Sequence, residues 1–231
     1  MPSENSLRRT SLSILTLTMG VLFYANQPSL LGQKDLPDTD VVGVINLSGE
    51  IGAGKAASAD KVIPLLDKAF DAPTVKAIYL NIDSPGGSPV ESERINAILD
   101  ARRQETGKPV YAVINTIGAS AAYMVAAHAD KIYAARYSLV GSIGAIMQGW
   151  DVHRAINDHK VNQRTFASGN LKGLMNPFSP MPDGGAEKAQ TLVNQMGQEF
   201  AREVKSLRGD KLSKDEKDNL FSGEVWNGIE S

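Results

Sequence analysis

Three short segments carry the residue types of an acyl-transfer reaction. Gly118-Ala119-Ser120-Ala121-Ala122-Tyr123 places a serine where a strand should give way to a helix. Ser168-Gly169-Asn170-Leu171-Lys172 offers a lysine in a glycine-bearing, apolar loop. Asp83-Ser84-Pro85-Gly86-Gly87 follows a strand and precedes a helix. A nucleophile, a base and a loop of free backbone amides are the parts that such chemistry needs.

Each segment also has a plainer reading. Pro-Gly-Gly is a common tight turn. Two adjacent glycines also let backbone N–H groups converge on one point, as an oxyanion nest requires. Neither GxGxxG nor GxxxxGK[ST] occurs, which argues against a phosphate-binding loop. Ser120 reads either as a helix N-cap or as a nucleophile whose next amide, that of Ala121, would pair with the Gly87 amide. Lys172 reads either as a solvated charge or as a general base. A lysine base must be neutral, which calls for an apolar setting. Leu171, Gly173, Leu174, Met175, Pro177 and Phe178 offer one, and the nearest acids along the chain are Asp158 and Asp183.

The elements that must position these residues follow from periodicity. Apolar, β-branched runs predict strands at 41–47, 75–82, 109–116, 131–135, 142–148 and 161–167, the first two buried. Helical spacing predicts helices at 59–70, with Pro64 near the first turn, and at 90–103, with Val90, Ile95, Ile98 and Leu99 on one side. Further helices are expected at 119–129, 151–159 and 184–207. Strands alternating with helices predict an α/β protein with a parallel or mixed sheet.

Composition narrows the function. The chain has 231 residues, 42% of them hydrophobic, enough for one sizeable domain. A net charge of -2 makes no case for nucleic acid. With no cysteine, disulfides and thiolate metal sites are excluded. The histidines, His128, His153 and His159, lack metal-ligand spacing and read as surface or helix-end residues, so no metal or cofactor is expected.

Arg8 and Arg9 precede an apolar run from Leu12 to Ala25, and no charge follows until Lys34. The expectation is a signal anchor over residues 1–25 with its N-terminus in the cytoplasm, a cleaved signal peptide being the rival. Residues 26–40 read as a linker and 41–231 as the folded domain.

Together the segments resemble the signal peptide peptidase A (protease IV) family of membrane-anchored serine proteases. The resemblance lies in VKAIYLNIDSPGGSPVES, IGASAAYMVAAHADKIYA, LVGSIGAIM, FASGNLKGLMNPFSPM and FSGEVWNG, and spans about Val41 to Gly228. It implies a crotonase/Clp-type fold of spiralling β-β-α units. Ser120 is implied as nucleophile and Lys172 as general base, with Gly87 and Ala121 as oxyanion amides. Gly86, Gly141, Ser142, Ile143 and Gly144 are implied to line the peptide cleft. Remnant signal peptides are the implied substrate, membrane lipid the anchor's partner, and a ring or dome of copies in a bacterial inner membrane the assembly, with the catalytic domain outside the cytoplasm. Two departures stand out. Ala121 and Ala122 replace glycines that commonly follow the nucleophile in that family, and relatives continue beyond the position of Ser231, so the C-terminus is expected to be truncated. The competing expectations are an inactive membrane scaffold of the same fold and a crotonase-type acyl-CoA enzyme.

Overall fold

The computed structural model describes residues 38–212 and 220–230. The expected anchor and most of the linker lie outside the described residues. Among these, no helix is long and apolar enough to cross a membrane. The chain divides into two compact units, the first running to Gly141 and resuming at Val225, the second covering Ser142–Glu224.

The first unit is a mixed α/β layer with a parallel-rich sheet. Its strands are β1 (Val41–Ser48), β2 (Val75–Ser84), β3 (Val110–Ala119), β4 (Lys131–Ala134), β5 (Leu139–Gly141) and β6 (Val225–Asn227). The order is β1-β2-β3-β5-β6, and β4 also pairs with β3. All pairings are parallel except β5–β6. β4 takes the first half of β3 (Tyr111–Ile114) and β5 its end (Ile117–Ala119), so β5 lies beside the point where β3 turns into the next helix.

Three helices cover one face: α1 (Ala59–Asp71), α2 (Pro89–Thr106) and α3 (Ala121–Ala127). The core joins Ile45, Leu47, Ile78, Leu80, Ile82, Val110, Ala112 and Ile114 from the sheet to Val62, Leu66, Phe70, Ile95, Leu99 and Val125 from the helices. Each large side chain so buried contributes about 1.5–3 kcal/mol. The sequence reading took β1 and β2 as buried strands. One face of each is buried, and the other carries a ladder in which Asn115 Nδ2 donates to Asn81 Oδ1 and Asn81 Nδ2 to Asn46 Oδ1, at 2.6 and 2.8 Å.

Other expectations shift for physical reasons. Pro64 sits inside α1, beyond its first turn. The helix carries it because Val62, Leu66 and Phe70 are buried on both sides of it. In α2 the inward face is Glu91, Ser92, Ile95, Asn96 and Leu99, while Val90 is exposed. Polar groups hold the inward positions because they have partners. α2 stops at Gly107, whose left-handed backbone (φ 68°) returns its N–H to Arg103 O at 2.9 Å. β3 runs on to Ala119, so α3 is shorter than the predicted 119–129 helix.

The second unit holds a short helix α4 (His153–Asp158), a 3-10 turn (Asn170–Gly173) and a long helix α5 (Gly185–Arg208). The strands expected at 142–148 and 161–167 do not form. The actual strand ends at Gly141, because Ser142 takes a positive φ of 53°. Around 161–167 the side chains are exposed, Phe166 at 95%, and among the described residues no strand pairs with them.

Glu91 ties α2 to the start of α1. Ser58 caps α1 without a side-chain bond, and Glu91 Oε2 instead accepts from the buried Ala59 N–H at 2.7 Å. Glu91→Ala would strand that donor and is expected to lower the unfolding free energy by about 1–3 kcal/mol in urea titrations. Glu91→Gln, which keeps an acceptor, should lose less, and Glu93→Ala, on the exposed side, under about 0.5 kcal/mol.

Candidate active site

The loop after β2 is shaped by its own side chains. Ser84 is fully buried, and its Oγ accepts from Gly86 N–H at 3.2 Å. Pairing between β2 and β3 slips between Ile82 and Ser84, and there Asp83 Oδ1 accepts from Ile117 N–H at 3.3 Å in place of a backbone carbonyl. Ile51, from the segment after β1, clamps the loop from the side. Its N–H donates to Gly86 O at 2.9 Å and its carbonyl accepts from Ser88 N–H at 2.8 Å.

Both glycines are obligatory. Gly86 has φ 103° and Gly87 φ 144°. A Cβ on Gly87 would overlap the Ile51 carbonyl. A Cβ on Gly86 would lie 2.8 Å from Ser120 Cβ and 2.9 Å from Ala121 N. The glycine loop therefore sits directly against the serine.

Ser120 itself is strained, at φ 53° and ψ -127°. Such a backbone costs about 1–3 kcal/mol in a non-glycine residue and persists only where its surroundings impose it. Here Ser120 N–H donates to Gly141 O at 2.8 Å and Ser120 O accepts from Met124 N–H at 3.0 Å. A sharp strand-to-helix turn of this kind lifts a serine side chain out of the sheet. Ser120 is half-buried, and its Oγ caps no N–H of α3. The expected N-cap bond is thus not made. Among the described residues neither Gly87 N–H nor Ala121 N–H has a protein acceptor.

Of the residues singled out in the sequence, Gly86, Gly87, Ser120, Ala121 and Gly141 come together in the first unit. Ser142 follows at once, its N–H donating to Glu224 O at 2.6 Å. Ile143 is buried, and Gly144 lies near Gly223. Lys172 belongs to the second unit, on the 3-10 turn, its N–H donating to Gly169 O at 3.1 Å. The apolar packing expected around it is not formed among the described residues: Lys172, Leu171, Met175 and Phe178 are all exposed.

The histidines are helix-end or surface residues. His128 closes α3, with its Nδ1 2.7 Å from Asp100 Oδ2. The seven residues of α3 separate it from Ser120, a rise of about 12 Å over eight positions, so it does not serve that hydroxyl. His153 bonds Asp151 at 2.5 Å, and that bond holds the exposed Asp151 carboxyl below the usual carboxylate range. His159 is exposed at the end of α4. The sequence reading named Asp83 only as the start of the glycine loop, without its role at the slipped pairing, and missed Ser92, whose Oγ donates to Ala121 O at 2.9 Å. A polar residue on the inward face of an amphipathic helix was the available signal.

A strained serine beside two free amides is an arrangement for acyl transfer. Oγ can attack a carbonyl whose oxygen the amides receive. Comparison with known proteins agrees with this class. Residues 102–231 match Peptidase family S49, and the chain belongs to that family. It is 30% identical over 192 residues to a Brucella melitensis protein named Na(+)/H(+) antiporter NhaA, covering 81% of this chain and 26% of that one. It is 30% identical over 208 residues to Protease 4 of Haemophilus influenzae, covering 88% and 33%. It is 31% identical over 148 residues to the capsid assembly protease C of Escherichia phage lambda, covering 64% and 33%. The chain spans between a quarter and a third of the length of these relatives.

The close approach at Gly86 yields a test. Gly86→Ala is expected to destabilise the protein by about 2 kcal/mol or more, since strain and overlap add. Gly49→Ala, at φ 78° with open space around it, should cost only about 1 kcal/mol. Urea unfolding of both variants separates overlap from backbone strain alone.

Proposed function

We propose that this protein is a serine endopeptidase that uses Ser120 as nucleophile and Lys172 as general base. The observation that carries the reading is the strained Ser120 held against the Gly86-Gly87 loop, with the Gly87 and Ala121 amides unoccupied. The S49 match and the protease-named relatives support it. Lys172 enters from the family resemblance and belongs to the other unit. The dyad is completed within one chain or between copies.

In the proposed reaction neutral Lys172 Nζ takes the Ser120 hydroxyl proton as Oγ bonds to the peptide carbonyl carbon. The carbonyl π electrons move to oxygen, which the Gly87 and Ala121 amides stabilise. Collapse breaks the C–N bond, and Lys172 returns the proton to the leaving nitrogen. Water, activated by the same lysine, then hydrolyses the acyl-serine. Metal plays no part in this scheme.

Extended peptides would bind beside the Gly141–Gly144 segment by strand addition, with small or apolar side chains in shallow pockets. Remnant signal peptides fit that description. The crotonase/Clp arrangement of spiralling units, the N-terminal anchor in a bacterial inner membrane, and a ring or dome of copies with the catalytic domain outside the cytoplasm complete the proposal. A second reading, an inactive scaffold of the same family, is favoured by the exposure of Lys172.

Fluorophosphonate labelling with adduct mapping, together with peptide turnover, tests the dyad. An adduct on Ser120 is expected. Ser120→Ala and Lys172→Ala should each lose roughly a thousandfold or more in kcat while unfolding at the wild-type urea midpoint. Full activity in either variant would sink the assignment, and a folded wild type that never labels would favour the scaffold.

A further inference from the structure

We infer that Ser92 is a positioning residue that fixes the spacing between the two oxyanion-binding amides; this rests on the acyl-transfer reading above. The Gly87 amide lies just ahead of α2, and the Ala121 amide opens α3. The two donors therefore belong to separate chain segments, each followed by its own helix. A hydrogen bond from the start of one helix to the start of the other sets their separation. Ser92 makes that bond: from the first turns of α2, its Oγ donates to Ala121 O at 2.9 Å, with Ser92 wholly buried.

Ala121 O does not need this bond for its own satisfaction. It opens α3 and so accepts from the amide four residues on, as any helical carbonyl does. What the serine adds is location. It pins the residue that follows the nucleophile, at the end of α3 where charge would develop.

α2 grips α3 at two further points, which supply the control. Asn96 Nδ2 reaches Met124 O at 3.4 Å and Arg103 Nη1 donates to His128 O at 2.6 Å. These hold the middle and the far end of α3. Losing them loosens the helix pair without altering the spacing of the amides. Trimming Asn96 removes an Oδ1 that has no hydrogen-bond partner and takes one donor from Met124 O, a cost to stability in the middle of α3 and away from the amides.

The test compares wild type, Ser92→Ala and Asn96→Ala as full chains. It reads kcat and KM on a small-apolar peptide amide, the inhibition constant of a tripeptide aldehyde, and the urea midpoint. Ser120 Oγ adds to the aldehyde carbon and its proton passes to Lys172, leaving the aldehyde oxygen as an oxyanion in the hole. Ser92→Ala is expected to lower kcat about tenfold and weaken the aldehyde about tenfold, with KM within about twofold. Asn96→Ala should lower the urea midpoint but keep kcat and aldehyde affinity within about twofold. If Ser92→Ala keeps both, or if Asn96→Ala loses as much, the inference is overturned and the peptidase reading stands. A wild type that neither cleaves nor labels at Ser120 overturns that reading and this inference with it.

Discussion

The structure of the first unit turns on the place where two chain segments meet without room for a methyl group. Gly86 faces Ser120 so closely that any Cβ would press on Ser120 Cβ and Ala121 N. Neither segment could hold this position alone. Ser120 is kept in an unfavourable backbone conformation by the Gly141 carbonyl on one side and the start of α3 on the other. The glycine loop is kept open by Ile51, which takes one bond from it and gives one back. The strain is local and small beside the burial of the sheet and its three helices, so the fold can impose it. The result is an exposed Gly87 amide near a side-chain hydroxyl that caps nothing.

Much of the support comes from buried polar groups at the start of α2. Glu91 holds the first amide of α1 and Ser92 the first carbonyl of α3, from adjacent positions on one turn. Buried polar groups are costly when unpaired and directional when paired. Apolar contacts would have filled the same space but would not have set the angle between helices so tightly. The same logic explains Asp83. Where β2 and β3 part to make the loop, a carboxylate oxygen stands in for the missing backbone acceptor.

The regular elements of the first unit were legible because their signals are local. Strands β1 to β4 and helices α1 and α2 follow from runs of apolar residues at the right period, and the glycine pair and Ser120 stand at the junctions where such runs stop. What was illegible depends on partners distant in sequence. Ser92 looks like any helix serine until Ala121 is placed beside it. Val225–Asn227 is too short to read as a strand, and becomes one only by pairing antiparallel with Leu139–Gly141. Val161–Ala167 has the composition of a strand, yet strand-like residues need a neighbouring edge, and none is offered there among the described residues. Pro64 was misplaced because the buried residues on either side of it outweigh its local preference.

Lys172 shows the limit of reading environment from composition. Its neighbours in sequence are apolar, and the inference that they enclose it was natural, but on the 3-10 turn Leu171, Met175 and Phe178 are themselves exposed. A lysine that acts as a base needs an apolar setting. In the proposed reaction that setting comes from whatever covers this turn: the bound peptide, the rest of the same chain or a second copy. The exposed apolar side chains around the lysine are what such a cover would bury.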